Sequence, residues 1–157
     1  MQKITTFLTY QERGEEAVNS YVALFKNSKI NSIVRYGDGG PFPPGTLLNA
    51  SFELDGQEFM AMDAGPHFSF ANGISLLVDC KTQEEVDRLY DGLAEGGEKQ
   101  PCGWVKDRWG VSWQIVPSVL GKLMGDPDRA KAQRVMEAMM TMHKMDIATL
   151  QRAYDQG

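Results

Sequence analysis

Two cysteines and two histidines are all that the 157 residues hold of the softer metal-binding side chains. Cys80 and Cys102 stand too far apart for a C-x-x-C metal or redox pair, and two such thiols in a reducing compartment serve as small buried hydrophobes. Cys102, between Pro101 and Gly103, has no histidine near it in sequence to activate it. His67 and His143 each stand alone, so a metal site would need carboxylates from elsewhere in the fold. Positive charge is also short: 16 Lys and Arg face 21 Asp and Glu, a net −5. That balance excludes a nucleic-acid partner, because phosphate binding needs a basic surface. No run approaches the roughly 18 apolar residues that cross a bilayer. The start, MQKITTFLTY, lacks the basic and apolar parts of a signal peptide, so no membrane partner and a cytoplasmic location are expected. P-loop, G-x-S-x-G and H-E-x-x-H motifs are missing. The GDGG of Gly37–Gly40 follows a strand, but Pro41, Pro43 and Pro44 deny the helix whose N-terminus would hold a methyl donor or dinucleotide.

What the chain does have is alternation. With 42% hydrophobic and 24% charged residues it has ordinary globular composition and can bury a core. Ile4–Tyr10 reads as a strand, and Glu15–Phe25 puts Ala17, Val18, Tyr21, Val22, Leu24 and Phe25 on one helical stripe. Ile30–Tyr36 returns to strand, the proline-rich stretch to Gly45 is a loop, and Thr46–Leu54 and Gln57–Asp63 flank the hairpin dipeptide Asp55-Gly56. The pattern then repeats. Ile74–Cys80 is a strand, and Thr82-Gln83-Glu84-Glu85 is a capping box that opens a helix closed by Gly96-Gly97. Gly103–Asp107 and Val111–Val116 are short strands. Glu15, Glu16, Tyr21 and Leu24 recur as Glu84, Glu85, Tyr90 and Leu93, all offset by 69 residues. The chain thus divides into a first βαβββ module (residues 1–66), a shortened second (67–117) and a helical extension (118–157), an α+β class.

In the extension, Asp126-Pro127-Asp128 reads as an N-cap with proline at the first helical position. Six of the nine methionines fall between Met124 and Met145. Val135, Met136, Met139, Met140 and Met142 form a wide apolar face, suited to the sheet or to a second copy, and a homodimer is expected. Asp63, His67, Lys106, Asp107 and Arg108 are acid–base candidates, although Lys106–Arg108 reads as a solvated charged turn between two strands. Gln114, between Trp113 and Ile115, is an amide in an apolar strand and demands partners there. Alternation puts it on the face opposite Trp113, which leaves Trp104 as the tryptophan nearer a ligand.

The two βαβββ halves, the pattern Trp104-x-x-Asp107-x-x-Gly110-x-x-Trp113-x-Ile115 and the tail M-x-K-M-D-I (Met142–Ile147) resemble, over the whole length, one family. It is the PhnB-like branch of the vicinal oxygen chelate (glyoxalase/bleomycin-resistance) superfamily commonly labelled 3-demethylubiquinone-9 3-methyltransferase. The resemblance implies sheets that curl around a cleft, commonly completed by dimerisation, in which enzymes of the superfamily chelate a divalent metal. At the positions that carry such ligands this chain offers Thr5, Thr6 or Thr9, Gly73–Ser75, Met60 and Met62; only Gln114 matches in type. The expectation is a small-molecule ligand, aromatic or apolar, held without metal or other cofactor by Thr9, Met62, Asp63, His67, Phe70, Trp104, Trp113 and Gln114. Two alternatives stand: a metal-dependent glyoxalase- or dioxygenase-like enzyme using His67, Asp63 and Gln114, and the methyltransferase of the family label.

Overall fold

The computed structural model describes residues 2–156. The chain forms two compact units, Met1–Ser69 and Phe70–Gly157. In the first, the order is β1 (Thr6–Tyr10), α1 (Gly14–Leu24), β2 (Lys29–Arg35), β3 (Leu47–Leu54) and β4 (Gln57–Asp63). In the second come β5 (Leu76–Cys80), α2 (Gln83–Ala94), β6 (Glu98–Lys99), β7 (Trp104–Lys106) and β8 (Ser112–Pro117), followed by α3 (Ser118–Met124), α4 (Arg129–Met140) and α5 (Ile147–Asp155). The protein is therefore α+β, two βαβββ modules with a helical segment at the C-terminus. No helix among the described residues is long and apolar enough to cross a membrane.

The sheets share one topology, β1-β4-β3-β2 and β5-β8-β7-β6, and in each the first and last strands pair in parallel. Each module helix covers one sheet face. In α1, Ala17, Val18 and Tyr21 are fully buried; in α2, Val86, Leu89, Tyr90 and Leu93 are. A fully buried Val or Leu contributes about 1.5–3 kcal/mol, so each stripe anchors its helix strongly. The repeated tyrosines are buried polar ends as well: Tyr10 Oη donates to Tyr21 Oη (3.1 Å), and Tyr90 Oη donates to the Gln100 carbonyl (2.8 Å). Asp55 and Gly56 take φ 48° and 80°, the pair of positive angles a type I′ turn requires, so the β3–β4 hairpin closes where the dipeptide predicts.

The first unit is keyed at one close approach. Arg13 turns left-handed (φ 64°) and provides no side-chain cap to α1. Asp63, at the end of β4, takes over: its Oδ1 accepts from Gly14 N (2.8 Å), and its carboxylate also accepts from the Leu47 backbone. A Cβ on residue 14 would lie 2.6 Å from that oxygen and 3.0 Å from the Tyr10 ring, so only glycine lets helix and strand meet. Asp63 is 6% exposed, and burial, outweighing its hydrogen bonds, pushes its carboxyl above the ordinary aspartate value.

Helix starts elsewhere depart from expectation in instructive ways. Thr82 Oγ1 accepts from Glu85 N as the capping box requires, but Glu85 Oε1 reaches one residue further back and accepts from Lys81 N (2.9 Å). The cap of α4 is Asp128, whose Oδ1 accepts from Ala130 N and Lys131 N, while Asp126 accepts from Asp128 N; Pro127 lies before the helix.

The three C-terminal helices bury Leu120, Leu123, Val135, Met145 and Leu150 in one cluster, joined by Val116 of β8, Met139 and Met142. Much of the apolar face expected to await a partner is thus consumed within the chain, and Met140 is left exposed. The cluster is tied to α2 and to the approach to β7. Gln83 donates to the Met145 carbonyl and accepts from Ile147 N, and Lys144 lies between Asp87 (3.4 Å) and Asp91 (2.8 Å). Cys102 N and Gly103 N donate to the carbonyls of Met142 and His143, both at 2.8 Å.

Two outcomes follow for the Gly14–Asp63 contact. Gly14→Ala should destabilise the protein by about 1–3 kcal/mol, the cost of overpacking, read as a lower Tm with the secondary structure retained. For Asp63 the folded pKa lies above the unfolded one, so its ionisation costs stability. Relative to Asp63→Asn, wild type should lose stability as pH rises from about 3.9, the usual unfolded value, through the raised folded value, and no further above it. Denaturant midpoints across that range that show wild type gaining on Asp63→Asn would overturn this.

Candidate functional site

β8 lies between β5 and β7, so its side chains see both sheet faces and two neighbours. Trp113 and Ile115 point to the helix-covered side; Trp113 is 2% exposed and its Nε1 donates to Asp107 Oδ2 (2.9 Å). Asp107 is the surprise of this segment. Far from sitting at a solvated tip, it is 3% exposed, and its Oδ1 accepts from Trp109 N and Val111 N, both at 3.0 Å. The Lys106–Arg108 turn is organised around this buried carboxylate, and Arg108 lies over the Trp109 ring at 5.5 Å while donating to the Glu95 carbonyl.

Gln114 points the other way. The register sets Leu77 of β5 and Trp104 of β7 on either side of it, so an amide is flanked by an aliphatic and an aromatic side chain on the open face of the sheet. Gln114 Nε2 donates to Ser75 Oγ (2.8 Å). Ser75 thereby fixes the amide, and among the described residues no donor meets Oε1. Leu77 is 59% exposed, and Trp104 and Gln114 are half-buried. On the open face of the first sheet Thr9 pairs in register with Met62, and Phe7 with Met60.

Of the residues expected at a site, Thr9 with Met62 and Trp104 with Gln114 are thus neighbours on open faces. Asp63 and Trp113 lie on the helix-covered sides, where they hold α1 and Asp107. Asp63 also floors a hollow of about 580 Å³ walled by residues 11–13 and 15, the loop 42–47, and residues 65 and 66. His67 is exposed, and Phe70 lies against the turn at Gly110. Leu77 is the neighbour the sequence reading missed; alternation along Ser75-Leu76-Leu77 marks its face, but only pairing with β8 puts it beside Gln114.

The chemistry of these groups is narrow. A divalent ion recovers its lost hydration from carboxylate, imidazole or thiolate donors. The residues at the expected ligand positions on the open faces are Thr9, Met62, Ser75 and Gln114: hydroxyls, a thioether and one amide. Among the described residues no group of three His, Cys, Asp or Glu side chains could hold a metal ion. These residues do not fit the metal that the superfamily's enzymes use. Nor is Cys80 a nucleophile, since burial pushes its thiol up to about 12 and keeps it protonated.

Comparison with known proteins places the chain. The family described as 3-demethylubiquinone-9 3-methyltransferase matches residues 2–116. A putative 3-demethylubiquinone-9 3-methyltransferase, PhnB protein, from Bacillus cereus is 42% identical with a TM-score of 0.68, over 74% of this chain and 99% of that one. Protein PA1353 from Pseudomonas aeruginosa, 23% identical with a TM-score of 0.63 over 74% of this chain and 98% of its own, shares the fold. Protein YjdN of Escherichia coli (strain K12) is 30% identical over 88 residues, 49% of this chain, which spans 60% of that relative's length. The family match ends at residue 116, so α3–α5 and the Met142–Ile147 tail lie beyond it, against the expectation that the likeness runs the whole length. The chain belongs to the PhnB-like family described as 3-demethylubiquinone-9 3-methyltransferase, within the vicinal oxygen chelate (glyoxalase/bleomycin-resistance) superfamily.

Proposed function

We propose that the chain binds a small aromatic or apolar molecule on its open sheet faces, without a metal. The row Leu77–Gln114–Trp104 carries the reading: an indole and an aliphatic side chain supply area, and a single oriented amide between them supplies direction. Thr9 and Met62 are the corresponding groups on the first sheet. The row Leu77–Gln114–Trp104 itself carries no acid or base for proton transfer, so recognition is the function these three groups serve best. Methyl transfer is the second reading, favoured by the description of the family.

Calorimetry separates the readings. With 1-naphthol as probe, wild type should bind, Gln114→Ala should weaken binding about fivefold, roughly 1 kcal/mol for one net hydrogen bond, and Trp104→Ala should weaken it more. Unchanged affinity in both variants would sink the assignment. Stoichiometric divalent metal in protein purified without chelators would sink the metal-free part, and a heat of binding with S-adenosylmethionine would favour methyl transfer.

We further propose a homodimer. Phe7, Val34 and Leu48 remain exposed on the first sheet, Phe7 and Val34 on its open face, with Ile4 beside β1, an apolar surface that a second copy would cover. Light scattering at micromolar protein should give twice the 17.5 kDa chain mass. A monomeric mass would overturn it.

A further inference from the structure

Beside Trp104 and Gln114 the next pair on the same face of β7 and β8 is Lys106 and the buried Ser112. Residues two apart on a strand share a face at a spacing of about 7 Å, so Lys106 stands on the same open face as Trp104, while Val105 between them is fully buried on the helix side. A lysine on a sheet ordinarily extends into water or closes an ion pair. This one is half-buried, and among the described residues no carboxylate comes within ion-pair distance of it. The neighbouring cations are engaged elsewhere: Lys99 with Asp91 at 3.6 Å, and Arg108 with the Glu95 carbonyl and the Trp109 ring. Glu98 stands opposite Lys106 in the β6–β7 register without closing a pair, and it lowers the positive potential there.

A partly buried lysine that shares a face with an indole and an amide oxygen is complementary to a ring that carries one negative charge and one hydrogen-bond donor. We propose that the ligand of this face is a planar aromatic carboxylate, its ring against Trp104, its donor on Gln114 Oε1 and its carboxylate on Lys106. A single ammonium matches a singly charged group; a phosphate would ask for several donors. This deepens the aromatic-ligand reading above and rests on it.

The test uses 4-hydroxybenzoate and its methyl ester, which share ring and hydroxyl and differ in charge. Calorimetry with the full chain should show wild type binding the acid about tenfold more tightly than the ester, the low end for a charge-assisted hydrogen bond. Lys106→Met should erase that preference by weakening the acid about tenfold more than the ester. Glu98→Gln should widen the preference. Acid and ester binding wild type alike, the ester binding more tightly, or a Lys106→Met that weakens both equally, would overturn the carboxylate assignment while the aromatic reading stands. No heat from either compound at millimolar concentration, together with no heat from 1-naphthol, would overturn both.

Discussion

The parallel pairing of the first and last strand in each module is the constraint on which the rest depends. A tight turn cannot join parallel strands, so a helix must be included in the connection, and it has to lie against one face of the sheet. In both modules this happens: β1 with β4 around α1, and β5 with β8 around α2. One face is thereby committed to core, with Leu8, Ala61, Trp113 and Ile115 on it. The other carries Thr9, Met62, Leu77 and Gln114. The fold uses the first face for stability and leaves the second free of the helix.

Each module also sinks one carboxylate into its interior, and both serve the backbone. Asp63 caps a helix that its own leading residue leaves uncapped, and Asp107 gathers two amides and an indole into a tight turn. A buried carboxylate whose lone pairs are taken up in this way is a structural fastener, with little capacity left for proton transfer. Around Gln114 the groups left facing outward are an indole, an aliphatic side chain, a hydroxyl and a lysine with Glu98 opposite it, a set suited to holding a molecule.

Much of this was legible in the sequence because much of it is periodic. The offset between Tyr21 and Tyr90 announced the repeated module, Asp55-Gly56 announced its hairpin, and alternation separated Gln114 from Trp113. What escaped depends on convergence across distance. Asp107 looks like part of a charged turn until Trp113 folds back over it, and Leu77 has no tie to Gln114 until β5 finds β8. Asp126 and Asp128 are equally good caps by type; the structure alone shows that Asp128 closes the first turn of α4. Methionines spaced along one helix face signal burial, but not whether their cover is another chain or, as for Met139, the chain's own C-terminal helices.

The donation from Cys102 and Gly103 to the carbonyls of Met142 and His143 sets an order of events. Synthesis runs from the N-terminus, so both sheets can assemble before the chain has delivered those carbonyls. The turn that launches Trp104 is locked only after α3 and α4 have left the ribosome. The surface around Trp104 is therefore complete only with the chain beyond α4 in place, so a truncation after β8 would leave both amides of that turn without their acceptors.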